Sequence, residues 1–145
     1  MSTLPPPTLR QLLCLDLYAA SRAIIKAYGV PLKKLGVTYP QYLVLVALWE
    51  ENEQPVLGLS EKLSLDSGTL SPLLKRLEAS GLVVRERSEE DERRVLVRLT
   101  HEGSALQAKA GELMRSMACR LDMDPADVQR LQATLREIAR RFDNQ

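Results

Sequence analysis

The hydrophobic period changes at Gly81, and that change limits the fold more than any other feature of the chain. Before it, apolar residues recur every three or four positions, the period of a helix. After it, residues 82–87 and 94–99 alternate, with Val95, Val97 and Leu99 set against Leu96 and Arg98. Period two marks half-buried strands. Residues 88–93 between the two runs are all polar, so the strands should form a hairpin with a charged tip. Just upstream, the pattern predicts a short helix over about 58–65 and a second over about 67–80, joined by the tight Leu65-Asp66-Ser67 connection. Asp66 or Ser67 can cap the second helix, and Gly81 suits the left-handed position that ends it. Leu70, Leu73, Leu74 and Leu77 form its inward face. Two short helices across a tight turn, followed directly by a hairpin, read as a winged helix-turn-helix.

Long amphipathic helices flank this motif. From Thr8, which can cap a helix, Leu9, Leu13, Leu17, Ala20, Ile24 and Ala27 lie on one stripe, and Gly29 with Pro31 should end that helix. A connecting segment over 30–38 is expected next. The helix opened by Tyr39-Pro40 is apolar on most sides from Leu43 to Leu48, which makes it buried and central. Beyond the wing a helix is expected over 101–121, opened by His101 with Thr100 as its cap. The break Asp122-Met123-Asp124-Pro125 follows. A last helix carries Val128, Leu131, Leu135, Ile138 and Phe142. These stripes have little local core to cover, and a symmetric homodimer is their simplest use. The expected fold is mainly α with a small β-hairpin wing. Residues 39–100 would be the winged helix-turn-helix, and 1–30 and 101–145 the dimerisation helices of a single 145-residue chain.

Composition removes most enzymatic chemistries. A single His, His101, and two cysteines, Cys14 and Cys119, leave no His-based zinc site and no disulfide scaffold. Seven glycines with no GxGxxG or GxxxxGK[ST] leave no phosphate-cradling loop. No cofactor, metal or catalytic residue is therefore expected, and the chain is not expected to be an enzyme. The start MSTLPPPTLR has no apolar signal region, and no apolar run approaches the ~20 residues of a membrane helix. A cytoplasmic location without membrane contact is expected. Net charge is only +1, so any nucleic-acid contact must come from local patches.

The second helix of the motif offers such a patch. With its leucines inward, Gly68, Pro72 and Lys75 point outward, Thr69, Ser71 and Arg76 lie at the edges, and Ser67 stands at the start. Ser and Thr can read base edges or phosphates, Lys and Arg can bind phosphate or guanine, and Gly68 lets the backbone approach closely. Arg93 and Arg94 at the wing tip suit the minor groove, where negative potential attracts Arg. The acidic run Glu89 to Glu92 argues for a geometrically fixed contact rather than plain attraction.

The order of elements, with Leu59-Ser60-Glu61-Lys62-Leu63, Leu77-Glu78-Ala79-Ser80-Gly81-Leu82-Val83 and Asp91-Glu92-Arg93-Arg94, resembles the MarR family of dimeric bacterial repressors. Leu13-Cys14-Leu15-Asp16-Leu17-Tyr18-Ala19-Ala20-Ser21-Arg22, Tyr39-Pro40-Gln41-Tyr42-Leu43-Val44 and Leu65-Asp66-Ser67-Gly68-Thr69-Leu70 are similar to its organic hydroperoxide sensor branch (OhrR). The resemblance covers nearly the whole chain after residue 8. It implies a reduced homodimer on a pseudo-palindromic double-stranded DNA operator, released when an organic hydroperoxide oxidises Cys14. It also implies that Asp91 positions the wing arginine and that Tyr28 and Tyr39 reach the partner's reactive cysteine. Cys119, at a separation like that in two-cysteine members, would resolve the oxidised Cys14 as an intersubunit disulfide.

The residues add their own terms. The thiolate is the nucleophile, and an ordinary thiol is only about 3% ionised at pH 7. Cys14 is expected about two turns into its helix, where the dipole helps little, so hydrogen bonds from tyrosine hydroxyls are the better support. Tyr18 stands one turn on, and Leu12, Leu13, Leu15 and Leu17 surround the thiol with apolar surface suited to alkyl hydroperoxides. A second reading keeps both cysteines structural and has the regulator respond to a small aromatic ligand in the cleft beneath the dimer helices. A thiol peroxidase would need a thioredoxin-like βαβ frame, for which the chain has too few strands.

Overall fold

The structure, a computed structural model, describes residues 4–143. A 3-10 turn at Leu9–Gln11 precedes six helices and three strands: α1 Leu13–Leu35, α2 Tyr39–Glu50, β1 Gln54–Pro55, α3 Val56–Leu63, α4 Ser67–Ala79, β2 Val83–Arg87, β3 Val95–Leu99, α5 His101–Leu121 and α6 Pro125–Asp143. The mainly helical winged architecture agrees with the alternation and capping pattern.

The first helix is the main correction. Thr8 starts only the 3-10 turn, where the Gln11 side chain accepts its backbone N–H at 2.9 Å. Leu12 then turns extended (φ −90°, ψ 94°), and α1 begins at Leu13. It runs through Gly29 and Pro31, which do not end it, and it takes up most of the expected connector. Pro31 removes one intrahelical hydrogen bond, and burial outweighs that loss: Leu32 just beyond it and Val37 after the helix are both in the core. The helix stops where Gly36 turns left-handed (φ 76°), with Gly36 N–H donating to Lys33 C=O and Val37 N–H to Leu32 C=O.

The other helix ends follow the same local chemistry. Thr38 and Gln41 form a reciprocal capping box at the start of α2, which satisfies the nearly buried Gln41 amide oxygen. Gln54 is buried because its amide donates to the carbonyls of Ala47 and Glu51, closing the far end of α2. Ser64 (φ 52°) and Gly81 (φ 74°) end α3 and α4 with the same paired bonds as Gly36. The core gathers around α2: Val44, Leu45, Leu48, Leu59, Leu70, Leu74, Leu77, Val83 and Val97 are all fully buried.

The sheet has three strands in the order β1-β3-β2, all pairs antiparallel. Strand β1 was not expected: two residues carry no readable period, and Pro55 argues against a strand except at an edge, where it lies. Leu82 and Arg94 fall outside the hairpin strands expected to hold them. Leu82 is spent on the α4 terminus, and Arg94 on the tip, where its N–H meets Asp91 C=O and its C=O meets Ser88 N–H.

The chain divides into two compact units, one reaching Gly111 and one beginning at Glu112. In the first, the root of α5 is seated tightly. Thr100 caps it by accepting Gly103 N–H, and the Thr100 hydroxyl donates to Gly81 C=O at 2.6 Å. The Trp49 indole N–H donates to Gly103 C=O at 3.0 Å. A Cβ added at Gly103 would lie 2.1 Å from the Leu82 carbonyl oxygen, so only glycine fits this approach. The second unit holds the rest of α5 and α6, and no described residue of α6 is buried. No helix among the described residues is long and apolar enough to cross a membrane.

Candidate nucleic-acid interface and redox site

Helix α4 has the sidedness its leucines predict. Leu70, Leu74 and Leu77 are buried and Leu73 half-buried, while Ser67, Gly68, Thr69, Ser71, Pro72, Lys75 and Arg76 are all exposed. Asp66 is its cap, accepting Thr69 N–H at 2.7 Å. In the wing, the Asp91 carboxylate accepts Arg93 N–H at 3.0 Å, and the Ser88 hydroxyl accepts from the amides of Glu90 and Asp91. Asp91 therefore fixes the backbone that carries Arg93. Arg93 and Arg94 are exposed, and neither pairs with a carboxylate among the described residues.

One link between these two surfaces escaped the sequence reading. Glu78, in the last turn of α4, accepts Arg85 N–H at 2.9 Å and the Arg85 guanidinium at 3.3 Å. Its carboxyl is held below the ordinary value of 4.5, first by the backbone bond and then by the side-chain bond. The end of α4 is thus tied to strand β2. A signal was present: a carboxylate opposes the dipole at a helix C-terminus and calls for a cationic partner.

Cys14 is exposed and is the second residue of α1, in the first turn rather than two turns deep. The first turn is the positive end of the helix dipole, so the premise that Cys14 lies too deep in the helix to feel it does not hold. Leu12, Leu13 and Leu15 beside it are exposed as well, and Leu17 is half-buried. Tyr18 is exposed, with the Arg22 guanidinium 5.2 Å above its ring.

Tyr28 and Tyr39 come together, their ring centroids 5.3 Å apart. The cluster continues through Tyr42, 5.8 Å from Tyr28, to Trp49, 6.2 Å further. Tyr42 was not among the expected site residues. Burial first, and then the neighbouring Tyr42 and Tyr39, push the Tyr28 phenol above its ordinary value of 10.0, so it stays protonated as a hydrogen-bond donor. At about 1.5 Å per helical residue, Tyr28 lies ~21 Å along α1 from Cys14 of its own chain. Contact between them requires a second copy. An open groove of about 660 Å³ lies between α1 and α2, lined by Ile25, Leu32, Lys33, Val37, Tyr39 and Pro40 among others. Cys119 is exposed on α5 in the second unit.

Residues 26–109 match the family described as transcriptional regulator SarA/Rot. The chain is 46% identical over 123 residues to the organic hydroperoxide resistance transcriptional regulator of Bacillus subtilis, covering 85% of this chain and 84% of that one. It belongs to the MarR-type winged-helix transcriptional regulators. Among solved structures, this MarR-type chain is similar to reduced AbfR bound to DNA, with a TM-score of 0.78 and 37% identity over 90% of this chain and 91% of that one. It is also similar to disulfide-formed AbfR, with a TM-score of 0.68 and 40% identity over 88% and 89%. AbfR comes from Staphylococcus epidermidis. The similarity to regulators along nearly the whole chain makes the MarR-type protein a transcriptional regulator and not an enzyme.

Proposed function

We propose that this regulator is a repressor of the peroxide response. Its reduced homodimer binds a pseudo-palindromic operator, and an organic hydroperoxide releases it by oxidising Cys14. The observation that carries the reading is Cys14 itself: an exposed thiol in the first turn of a helix, among exposed leucines, in a chain 46% identical to an organic hydroperoxide resistance regulator. The Cys14 thiolate attacks one peroxide oxygen, the O–O bond breaks, and the alcohol leaves as it takes up a proton. Sulfur is oxidised to the sulfenic acid and the peroxide reduced. Attack by the Cys119 thiolate of a second copy on the sulfenic sulfur then forms the disulfide and breaks the S–O bond, the hydroxide leaving as water once it takes up a proton. Tyr28, kept as a phenol, and Tyr39 beside it are the donors to the partner's sulfur.

On DNA, the exposed face of α4 from Ser67 to Arg76 enters the major groove, and Arg93 and Arg94, on the backbone held by Asp91, reach the minor groove. The chain works without a cofactor, in the cytoplasm. One equivalent of an alkyl hydroperoxide followed by a non-reducing denaturing gel tests the reading, with C14S and C119S alongside. The expected result is a dimer band in wild type, absent from both variants and removed by reductant. Operator release in C14S on peroxide treatment would overturn the sensor role. The groove between α1 and α2 favours a second reading, a small aromatic ligand as inducer with structural cysteines. Peroxide insensitivity together with ligand-induced release would identify it.

A further inference from the structure

Among the described residues two prolines lie beyond the first turn of a helix, and they differ in their own exposure. Pro31 in α1 is half-buried and is followed by the core residue Leu32. Pro72 in α4 is exposed. Proline is the least favourable residue in a helix interior, because it lacks the N–H that would bond four residues back. Burial around Pro31 offsets that loss. Around Pro72 the fully buried Leu70 and Leu74 offset it in the same way, while Pro72 itself stays exposed.

The missing donor has a definite address. The carbonyl that Pro72 N–H would have satisfied belongs to Gly68. Gly68 is exposed, has no side chain to screen its backbone, and lies in the first turn of α4. A carbonyl on the solvent side of a helix tilts outward when its internal bond is weakened or lost. Its neighbours Ser67, Thr69 and Ser71 are exposed too, so the acceptor stands within a polar surface at the N-terminal end of the helix. That end of such a helix lies against the bases. A lone carbonyl there is an acceptor with fixed direction. The matching donors of the major groove are the exocyclic amino groups of adenine (N6) and cytosine (N4). Serine, threonine, lysine and arginine on the same face can all donate, so the carbonyl gives the surface an acceptor that cannot reverse its polarity.

We infer that Pro72 acts as a specificity-determining residue by leaving the Gly68 carbonyl free to accept a hydrogen bond from an adenine or cytosine amino group in the operator. The inference rests on the DNA-binding reading above and refines it. The glycine has a local use as well: a Cβ at Gly68 would lie 3.2 Å from the capping Asp66 carboxylate oxygen. Substituting Gly68 would therefore disturb the cap, and the test acts on Pro72 instead.

P72A restores the missing N–H without adding bulk, and it should raise Tm by about 5 °C. The probe is the duplex that reduced wild-type protein selects from a randomised pool. Variants of it carry purine in place of one adenine, or 2-pyrimidinone in place of one cytosine, each lacking the exocyclic amino group. At one position per half-site, wild type should lose about five-fold in affinity when the amino group is removed, while P72A loses nothing further. At every other position the two proteins should respond alike. Identical responses at all positions would overturn the inference, as would a uniform loss of affinity by P72A on every duplex. Failure of wild type to select any duplex would instead remove the DNA-binding reading beneath it.

Discussion

Glu78 stands in the last turn of α4, where the helix dipole repels a carboxylate, and its two bonds from Arg85 reverse that cost. The sign of its pH effect follows. Its carboxyl titrates below the ordinary 4.5, so its contribution to stability is complete above that value and is lost as pH falls through the lower, folded-state value. Wild type should therefore lose Tm more steeply than E78Q in the acid range below 4.5, with the two curves parallel at neutral pH. Circular dichroism melts across a pH series measure this, and equal acid limbs would remove Glu78 from the account. Tyr28 and Tyr42 act at the other end of the scale: burial raises both phenols above 10.0, so their contribution is present below that value and fades as pH climbs beyond it. The Glu78–Arg85 pair illustrates what a linear reading can miss. Each residue alone looks like solvated charge, and only the turn at Gly81 places them together. The outward residues of α4 were legible because leucine spacing fixes one face and therefore the other.

At the scale of elements, the joint between the winged body and α5 is set by one absent side chain. In G103A the new Cβ would meet the Leu82 carbonyl oxygen, a backbone atom that cannot swing aside. Either the strand or the helix root must shift, at a cost of roughly 1–3 kcal/mol as for other overpacked sites. Urea denaturation should show a lower midpoint, and amide exchange at Leu99 and Thr100 should quicken if the root of α5 loosens; an unchanged midpoint would mean the contact relaxes freely. Thr100 was readable as the cap of α5 because its chemistry is local. The closeness of Gly103 to Leu82 was not, because it depends on where a distant strand begins. The start of α1 shows the reverse error. The cap signal at Thr8 is real, but it serves a single 3-10 turn, and a stripe of leucines cannot reveal a break at Leu12 that leaves their spacing almost intact. At the other end, Gly29 and Pro31 are true breaking signals overruled by the burial of Leu32 and Val37.

At the scale of the whole molecule, apolar surface lies open in both units. Leu13, Ile24, Ile25 and Val30 of α1 are exposed in the first, and Leu131, Leu135 and Phe142 of α6 in the second. The spacing along these helices, an apolar residue every three or four positions, is the pattern of faces that meet another helix. A second copy is the expected cover, and the ~21 Å between Cys14 and Tyr28 on one straight helix asks for the same copy. L131D placed on this stripe should shift sedimentation from dimer to monomer and lower operator affinity by at least ten-fold, since two linked half-sites bind far better than one. A variant that remains dimeric would place the interface elsewhere. The protein contains one tryptophan, Trp49, and its indole N–H ends on Gly103 C=O while its ring meets the edge of Tyr42. The chain thus carries its own optical gauge: ultraviolet emission from a single indole, read without any added dye, should redden if that bond opens to water, and would time the movement of the α5 root against the arrival of oxidant.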